Sequence, residues 1–236
     1  MSNWAPKRFW KQAEVREADG GFAVTLDGRG VKTPAKAPLV LPTRAMAAAI
    51  AAEWDAQHEM VDPTTMPNTR SANAAIDKVA RQFDEVAEML LQYGDTDLLC
   101  YRAHSPVELV SRQAAHWDPL LDWAEQTFGA RLQPRQGVIH AAQPDGVLDR
   151  LRGPVFAMNP FQMAAFHDLV SLTGSLILGL AATRRAWTEN QLWTLSRLDE
   201  TWQEEQWGAD EEATELAERK KSEFLHACRF YQVSTG

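Results

Sequence analysis

Nothing in this sequence is apolar for long enough to cross a bilayer. Its most hydrophobic run, Leu176 to Ala182 (LILGLAA), falls far short of the roughly 20 residues that a helical span needs. Cysteine is scarce: Cys100 and Cys228 are the only two, and neither sits in a C-x-x-C pair. That excludes a disulfide-stapled scaffold and a four-cysteine zinc site. Both stand among apolar residues at helical spacing, where cysteine acts as a small hydrophobe, so a reducing compartment is expected. A basic stripe is missing too. Lys and Arg number 24 against 32 Asp and Glu, for a net charge of -8. The nearest approaches, Arg184-Arg185 and Arg219-Lys220-Lys221, are short. This argues against nucleic acid as a partner and favours a basic or partly unfolded protein. The opening residues, MSNWAPKRFWKQ, have no signal-peptide core and no room for a transit peptide. The expectation is a cytoplasmic protein with no membrane insertion.

The familiar chemical motifs are also absent. There is no G-x-x-x-x-G-K-[ST], no G-x-G-x-x-G after a strand, no G-x-S-x-G and no H-E-x-x-H. Two weaker patterns remain. Glu223 and His226 form a Glu-x-x-His step, but a di-iron site needs a second such step and two more carboxylates. Asp55 and His58 offer only a partial match, so solvated residues are the plainer reading. Asp95, Asp97 and His104 could form an acid/base group in a cleft. After Gly94, however, both aspartates suit turn and N-cap positions. His116 and His167 lie in helical, apolar surroundings and are read as core or boundary residues.

What is present is a change of period. Phe22, Val24 and Leu26 alternate with Ala23 and Thr25. Asp19-Gly20-Gly21 and Asp27-Gly28 are turn signals, and Val31-Thr33 and Leu39-Leu41 read as further strands. Short alternating runs joined by Asp-Gly turns make an antiparallel β-meander. From Thr43, a good N-cap, the period is helical. The expected fold is therefore α+β: a small β domain over residues 1–43 and a larger α-helical domain over 44–236, the boundary falling within 43–60. Met46, Ile50 and Trp54 share one face of the first helix. Residues 62–67 read as a loop, followed by one helix stopped by Gly94. Ser105-Pro106 opens the next as N-cap and first-turn proline, and Pro119 kinks or restarts it. Residues 130–147 read as a connector, and Asn159-Pro160 opens one long buried helix to about Trp187. Thr188 and Gln191 form a capping box at the head of a helix that Gly208 closes. A last helix spans about Asp210 to Tyr231.

That penultimate helix carries SRLDETWQEEQWG, residues 196–208. Nine tryptophans against three tyrosines is unusual, and tryptophan favours cores and interfaces. Leu192, Leu195, Leu198 and Trp202 fall on one stripe, read as core. Trp193, Arg197, Glu200, Glu204 and Trp207 fall on the neighbouring stripe. That stripe is either a solvated face with an Arg197–Glu200 pair or the edge of a partner-gripping groove.

Eight segments, in order from Arg8 to Gly208, are similar to one family: RFWK, LDGRGVKTP, LVLPT, AAEWDAQ, MPNTRSANAAID, DTDLLCYRA, WDPLLDWAEQTFG and SRLDETWQEEQWG. The chain resembles the assembly chaperones of the F(1) head of ATP synthase, the branch acting on the alpha subunit. The resemblance implies a non-enzymatic chaperone that uses no metal or cofactor. It would hold the unassembled alpha subunit soluble until alpha meets beta. Family members occur in the mitochondrial matrix and in alphaproteobacteria, and the start of this chain favours the bacterial form. The family's Ser-Arg-Leu-acid-acid motif falls here on Asp199 and Glu200, and Glu200 is taken as the required carboxylate. Trp54 is carried over as an anchor. The implied partner-binding set is Glu200, Asp199, Arg197, Trp54, Glu53 and Trp207. Two rival classes stand beside it: an enzyme built on the Asp95/Asp97/His104 or Glu223/His226 groups, and a general helical adaptor.

Overall fold

The computed structural model describes residues 7–137 and 141–235. A small antiparallel sheet is followed by helices, as the change of period predicts. Strands β1 (Ala13–Ala18) and β2 (Gly21–Leu26) form a hairpin with Val15 opposite Val24. The turn falls on Gly20 (φ 81°) and Gly21 (φ 152°), left-handed backbone that suits glycine. A side chain at Gly21 would run into the Leu41 carbonyl. On the other edge of β2, β3 (Arg29–Gly30) pairs with its end and β4 (Val40–Leu41) with its start. Strand β3 lies two residues earlier than the alternation suggests, because the Asp27-Gly28 turn fixes its register. Val31 and Lys32 still join the sheet through the Val31 amide to the Val24 carbonyl and a Lys32–Pro38 bridge. The Asp27 carboxylate accepts from the Lys11 and Gln12 amides and closes this end of the hairpin.

Helix α1 (Arg44–Asp55) begins at Thr43, whose hydroxyl accepts from the Met46 amide and donates to the Val233 carbonyl. Met46, Ala47, Ile50 and Ala51 are buried against Trp10, Val24, Leu26, Leu39 and Leu41. Full burial of each large aliphatic side chain stabilises the fold by about 1.5–3 kcal/mol.

The helix expected after the 62–67 loop starts inside that loop, at Pro67, and is broken twice. Helix α2 (Pro67–Asp77) uses Pro67 as its first residue, a position where a missing N–H is harmless. A 3₁₀ turn at Val79–Arg81 separates it from α3 (Phe83–Gln92). Lys78 and Gln82 at the joints lie outside helical backbone geometry. At α2's end the Asp77 carboxylate accepts from the Thr33 hydroxyl at 2.6 Å and the Ala35 amide at 3.1 Å. Those bonds turn the chain where local propensity would have let it continue.

Helix α4 (Val107–Phe128) is 22 residues long and runs through Pro119 without ending. Pro106 is its cap and not its first turn. Gly129 (φ 68°) terminates it, donating to the Glu125 carbonyl at 2.8 Å. Gln113, Trp117, Leu120, Leu121 and Ala124 form its buried stripe. Inside the expected connector, β6 (Arg135–Gln136) pairs in parallel with β5 (Tyr101–Arg102). Helix α5 (Val147–Phe156) follows.

The long central helix is two helices, α6 (Pro160–Thr173) and α7 (Leu176–Thr183). Gly174 (φ 68°) ends the first, and the Ser175 hydroxyl caps the second by accepting from Leu178. Every residue from Leu176 to Ala182 is buried. The fully buried Asp97 explains why so apolar a helix can begin in the interior. One carboxylate oxygen accepts from the Ile177 amide at 3.1 Å, the other from the Leu99 amide at 3.0 Å. These are amides that α7 and the 3₁₀ turn at Leu98–Cys100 leave without intrahelical partners. Gly179 has no room for a methyl group: its Cβ would stand 2.6 Å from Val170 Cγ2 and 3.1 Å from Phe166 Cε2. Gly179→Ala is expected to destabilise the fold by about 1–3 kcal/mol through overpacking, measured as a lower urea midpoint. An unchanged midpoint would mean that α7 shifts freely.

The remaining helices are α8 (Glu189–Ser196), α9 (Leu198–Trp207) and α10 (Glu211–Val233). The chain divides into two compact units. One holds the sheet, α1 and α2 up to Phe83, with Asn159–Ala165 and Arg229 onward; the other holds Asp84–Met158 and Phe166–Cys228. The first unit thus keeps α1 and α2 with the strands, whereas the sequence period changes near residue 43. Among the described residues no helix is long and apolar enough to cross a membrane.

Candidate partner-binding surface

The expected helix through SRLDETWQEEQWG breaks at Arg197. Helix α8 opens with the expected capping box, the Thr188 hydroxyl and the Gln191 side chain each serving the other's backbone amide. It ends at Ser196, Arg197 takes φ -109° and ψ 16°, and α9 starts one residue later. The break resets the helical phase, so the two stripes do not run through. Trp193, expected beside Glu200, is buried against Phe224 with ring centres 5.8 Å apart. Leu192 and Leu198 are buried as expected, but Trp202 is only half-buried.

Arginines order the carboxylates of α9. Arg197 donates to Glu200 at 2.8 Å and stands 3.8 Å from Glu204. Arg112, on α4, pairs with Glu205 at 2.8 Å while its guanidinium lies 4.8 Å from the centre of the Trp202 ring. The hydrogen bond from Arg112 holds the Glu205 carboxyl below its usual range. Asp199 accepts from the Gln113 side-chain amide at 2.7 Å, and the carbonyl oxygen of Gln113 accepts from the Ala103 backbone at 2.8 Å. Gln113 is buried, so this bridge fixes the start of α9 to α4. At the far end of α9, Trp207 is 79% exposed.

The structure therefore brings Arg197, Asp199, Glu200 and Trp207 onto one short helix and its leading turn. Arg112 and Gln113 join them without any local sign of it in the chain, being 93 and 86 residues from Glu205 and Asp199. Trp54 and Glu53 lie on α1, in the other compact unit. Trp54 packs edge-on against Trp10 with centres 5.2 Å apart. The indole N–H groups of both are buried and find no hydrogen-bond partner among the described residues. The Glu53 carboxylate accepts four hydrogen bonds, from the backbone and side chain of Asn68 at 2.6 and 2.7 Å and of Thr69 at 2.8 and 2.7 Å. It thus receives the first amides of α2 in the manner of an N-cap.

The other candidate groups are dispersed. Asp97 is buried as a cap, Asp95 accepts from the Gln143 amide at 2.6 Å, and His104 is exposed. Glu223 is exposed and His226 half-buried. Among the described residues no three His, Cys, Asp or Glu side chains stand together as a metal-holding group. His116, expected in the core or at its boundary, is exposed. His167 is half-buried and paired with Asp168 at 3.1 Å, and this bond raises its pKa.

Residues 7–125 match the ATP12 chaperone protein family. The crystal structure of Atp12 from Paracoccus denitrificans is similar at a TM-score of 0.94 and 50% identity, covering 97% of this chain and 98% of that one. An aspartate-to-lysine mutant of P. denitrificans Atp12p superimposes equally well, at 0.94 and 49% identity over 97% of each chain. Protein atp12, mitochondrial, of Schizosaccharomyces pombe is 28% identical over 222 residues, 89% of this chain and 76% of its own length. With a family match over half its length and near-complete structural likeness to a relative half identical in sequence, this chain belongs to the ATP12 chaperone family.

Proposed function

We propose that the protein is an assembly chaperone of the F(1) sector of ATP synthase. It binds the unassembled alpha subunit and keeps it from aggregating until alpha and beta join. The observation that carries this reading is the exposed Trp207 at the end of α9, on a helix whose carboxylates are ordered by Arg197 and Arg112. An exposed tryptophan beside oriented charge is the composition of an interface anchor with a polar rim. A subunit awaiting its partners exposes apolar interface, and covering it prevents aggregation. Glu200 and Asp199 supply discrimination more than affinity, and Arg197 sets the direction of Glu200. Trp54 and Glu53 form a second contact patch on α1. No cofactor enters this reading. The working compartment is the cytoplasm of a bacterium, corresponding to the mitochondrial matrix for eukaryotic relatives.

The test is co-expression with the alpha subunit and, separately, the beta subunit, scored by soluble yield and co-purification. Selective rescue and capture of alpha is expected. Glu200→Lys is expected to cut capture about tenfold or more while lowering the circular dichroism melt only slightly, since the half-buried Arg197–Glu200 pair adds about 0.5 kcal/mol at most. Capture of neither subunit, or of both equally, would overturn the alpha-subunit reading. Full capture by folded Glu200→Lys would remove Glu200 from it.

A further inference from the structure

A second surface, away from α9, has the form of a peptide groove. Helices α3 and α5 flank a shallow, open hollow of about 650 Å³ lined by Asp84, Glu85, Glu88, Met89 and Gln92 of the first and by Arg152 and Phe156 of the second. Met89 is 44% exposed, although Ala87, Leu90 and Leu91 on the same helix are buried. A neighbouring cavity of about 340 Å³ shares Met89 and Gln92 and continues past Tyr93 to Asp95 and Thr96. The two hollows thus follow α3 along its length, about 15 Å for ten residues.

The floor and rim differ in character. Met89 and Phe156 give an apolar floor, and methionine adapts its shape to varied side chains. The rim is acidic, with Asp84, Glu85 and Glu88 against one cation, Arg152. That arginine is engaged twice: 2.7 Å from Glu88 and 5.0 Å above the Phe156 ring. It already shows how a guanidinium sits here, with its charge on a rim carboxylate and its carbon over the ring of the floor. Asp84 and Glu85 also occupy the first turn of α3, where acids favour the helix. Helix stability accounts for their charge, but not for an exposed methionine beside an aromatic ring in a concave wall.

We propose that this groove binds a basic amphipathic segment of a partner protein. One large apolar side chain of the segment seats between Met89 and Phe156, and its Lys or Arg residues face Asp84 and Glu85. The mode is a helix laid in an apolar groove, with the charged rim setting orientation and partner choice. The inference is drawn from the groove alone and does not rest on the alpha-subunit reading.

The experiment uses the full chain and fluorescein-labelled peptides of Leu and Lys at helical spacing, read by fluorescence anisotropy. Two control peptides replace Leu by Ser or Lys by Glu. The Leu/Lys peptide is expected to bind, and each control to bind about tenfold more weakly or worse. Met89→Glu is expected to weaken binding of the Leu/Lys peptide about tenfold. It makes the protein more acidic, so simple charge attraction predicts the opposite sign. Glu85→Lys is expected to weaken binding in a salt-dependent way. Both positions face solvent, and circular dichroism checks that the variants fold. Trp207→Ala is expected to leave peptide binding unchanged, which separates this groove from α9. Absence of Leu/Lys peptide binding, equal binding of the Leu-to-Ser control, or undiminished binding by folded Met89→Glu would each overturn the proposal.

Discussion

Asp97→Ala is expected to cost about 3–5 kcal/mol of stability, the loss associated with breaking a buried polar network. The carboxylate is fully buried and ties two distant segments together by accepting from Leu99 and Ile177. Alanine leaves both amides without an acceptor in an apolar interior and opens a small cavity. Urea denaturation at pH 7 measures the effect, and a loss below about 1 kcal/mol would show that other groups or water take over the cap. The same residue carries a pH signature. Burial pushes the Asp97 carboxyl up to about 6, against the downward pull of the amides that bond it. The unfolded value is 3.8, so between about 4 and 6 the folded chain holds more protons than the unfolded one. The Asp97 contribution to stability therefore grows as pH falls through 6, is complete below 3.8, and is lost as pH rises again. Asp97→Asn cannot titrate. Its deficit relative to the native chain is expected to widen from pH 7 to pH 4.5, and a deficit independent of pH would refute the linkage. Comparing the two proteins cancels the remaining carboxylates, which are common to both.

Glu53→Ala is expected to lower stability by roughly 2–3 kcal/mol, a fall of roughly 4–12 °C in Tm for a chain of this size. Four donors converge on this one carboxylate, two of them backbone amides in the first turn of α2. Hydrogen exchange gives the local readout: the Asn68 and Thr69 amides should lose protection first. An unchanged Tm with full protection would leave the carboxylate no structural part. The measurement also separates two roles. If Glu53 acts on a partner only by holding the 66–71 segment, Glu53→Gln should recover part of both stability and client capture. If it contacts the partner by charge, Glu53→Gln should recover stability alone.

Local signals were well legible. Thr43 as N-cap, the Thr188/Gln191 capping box and the Asp-Gly turns each depend on a few neighbouring residues, and each stands where the pattern puts it. The breaks between helices were not legible to the same degree. Gly174-Ser175 carries the composition of a helix stop followed by an N-cap, yet the apolar residues on either side keep helical spacing and mask it. The break at Arg197 has no such mark in glycine or proline. It rotates Trp193 inward and leaves Trp207 outward, a distinction one continuous helical wheel cannot make.

For the candidate surface, the sequence supplied the carboxylates, the tryptophans and the resemblance of SRLDETWQEEQWG to a chaperone motif. The tertiary structure alone decided which groups are engaged. Asp199 is held by Gln113, Glu205 by Arg112, and Asp97 by an amide of α7, over separations of 86, 93 and 80 residues. The sequence by itself thus determined the secondary-structure periods, most caps and the family, because these depend on side chains within a turn or two of one another or on ordered motifs. The breaks, the buried Asp97 and the exposed faces of α3 and α9 were decided in three dimensions. There, a donor far along the chain can satisfy a carboxylate or an unpaired amide, and that bond outweighs the small local preference for one more helical turn.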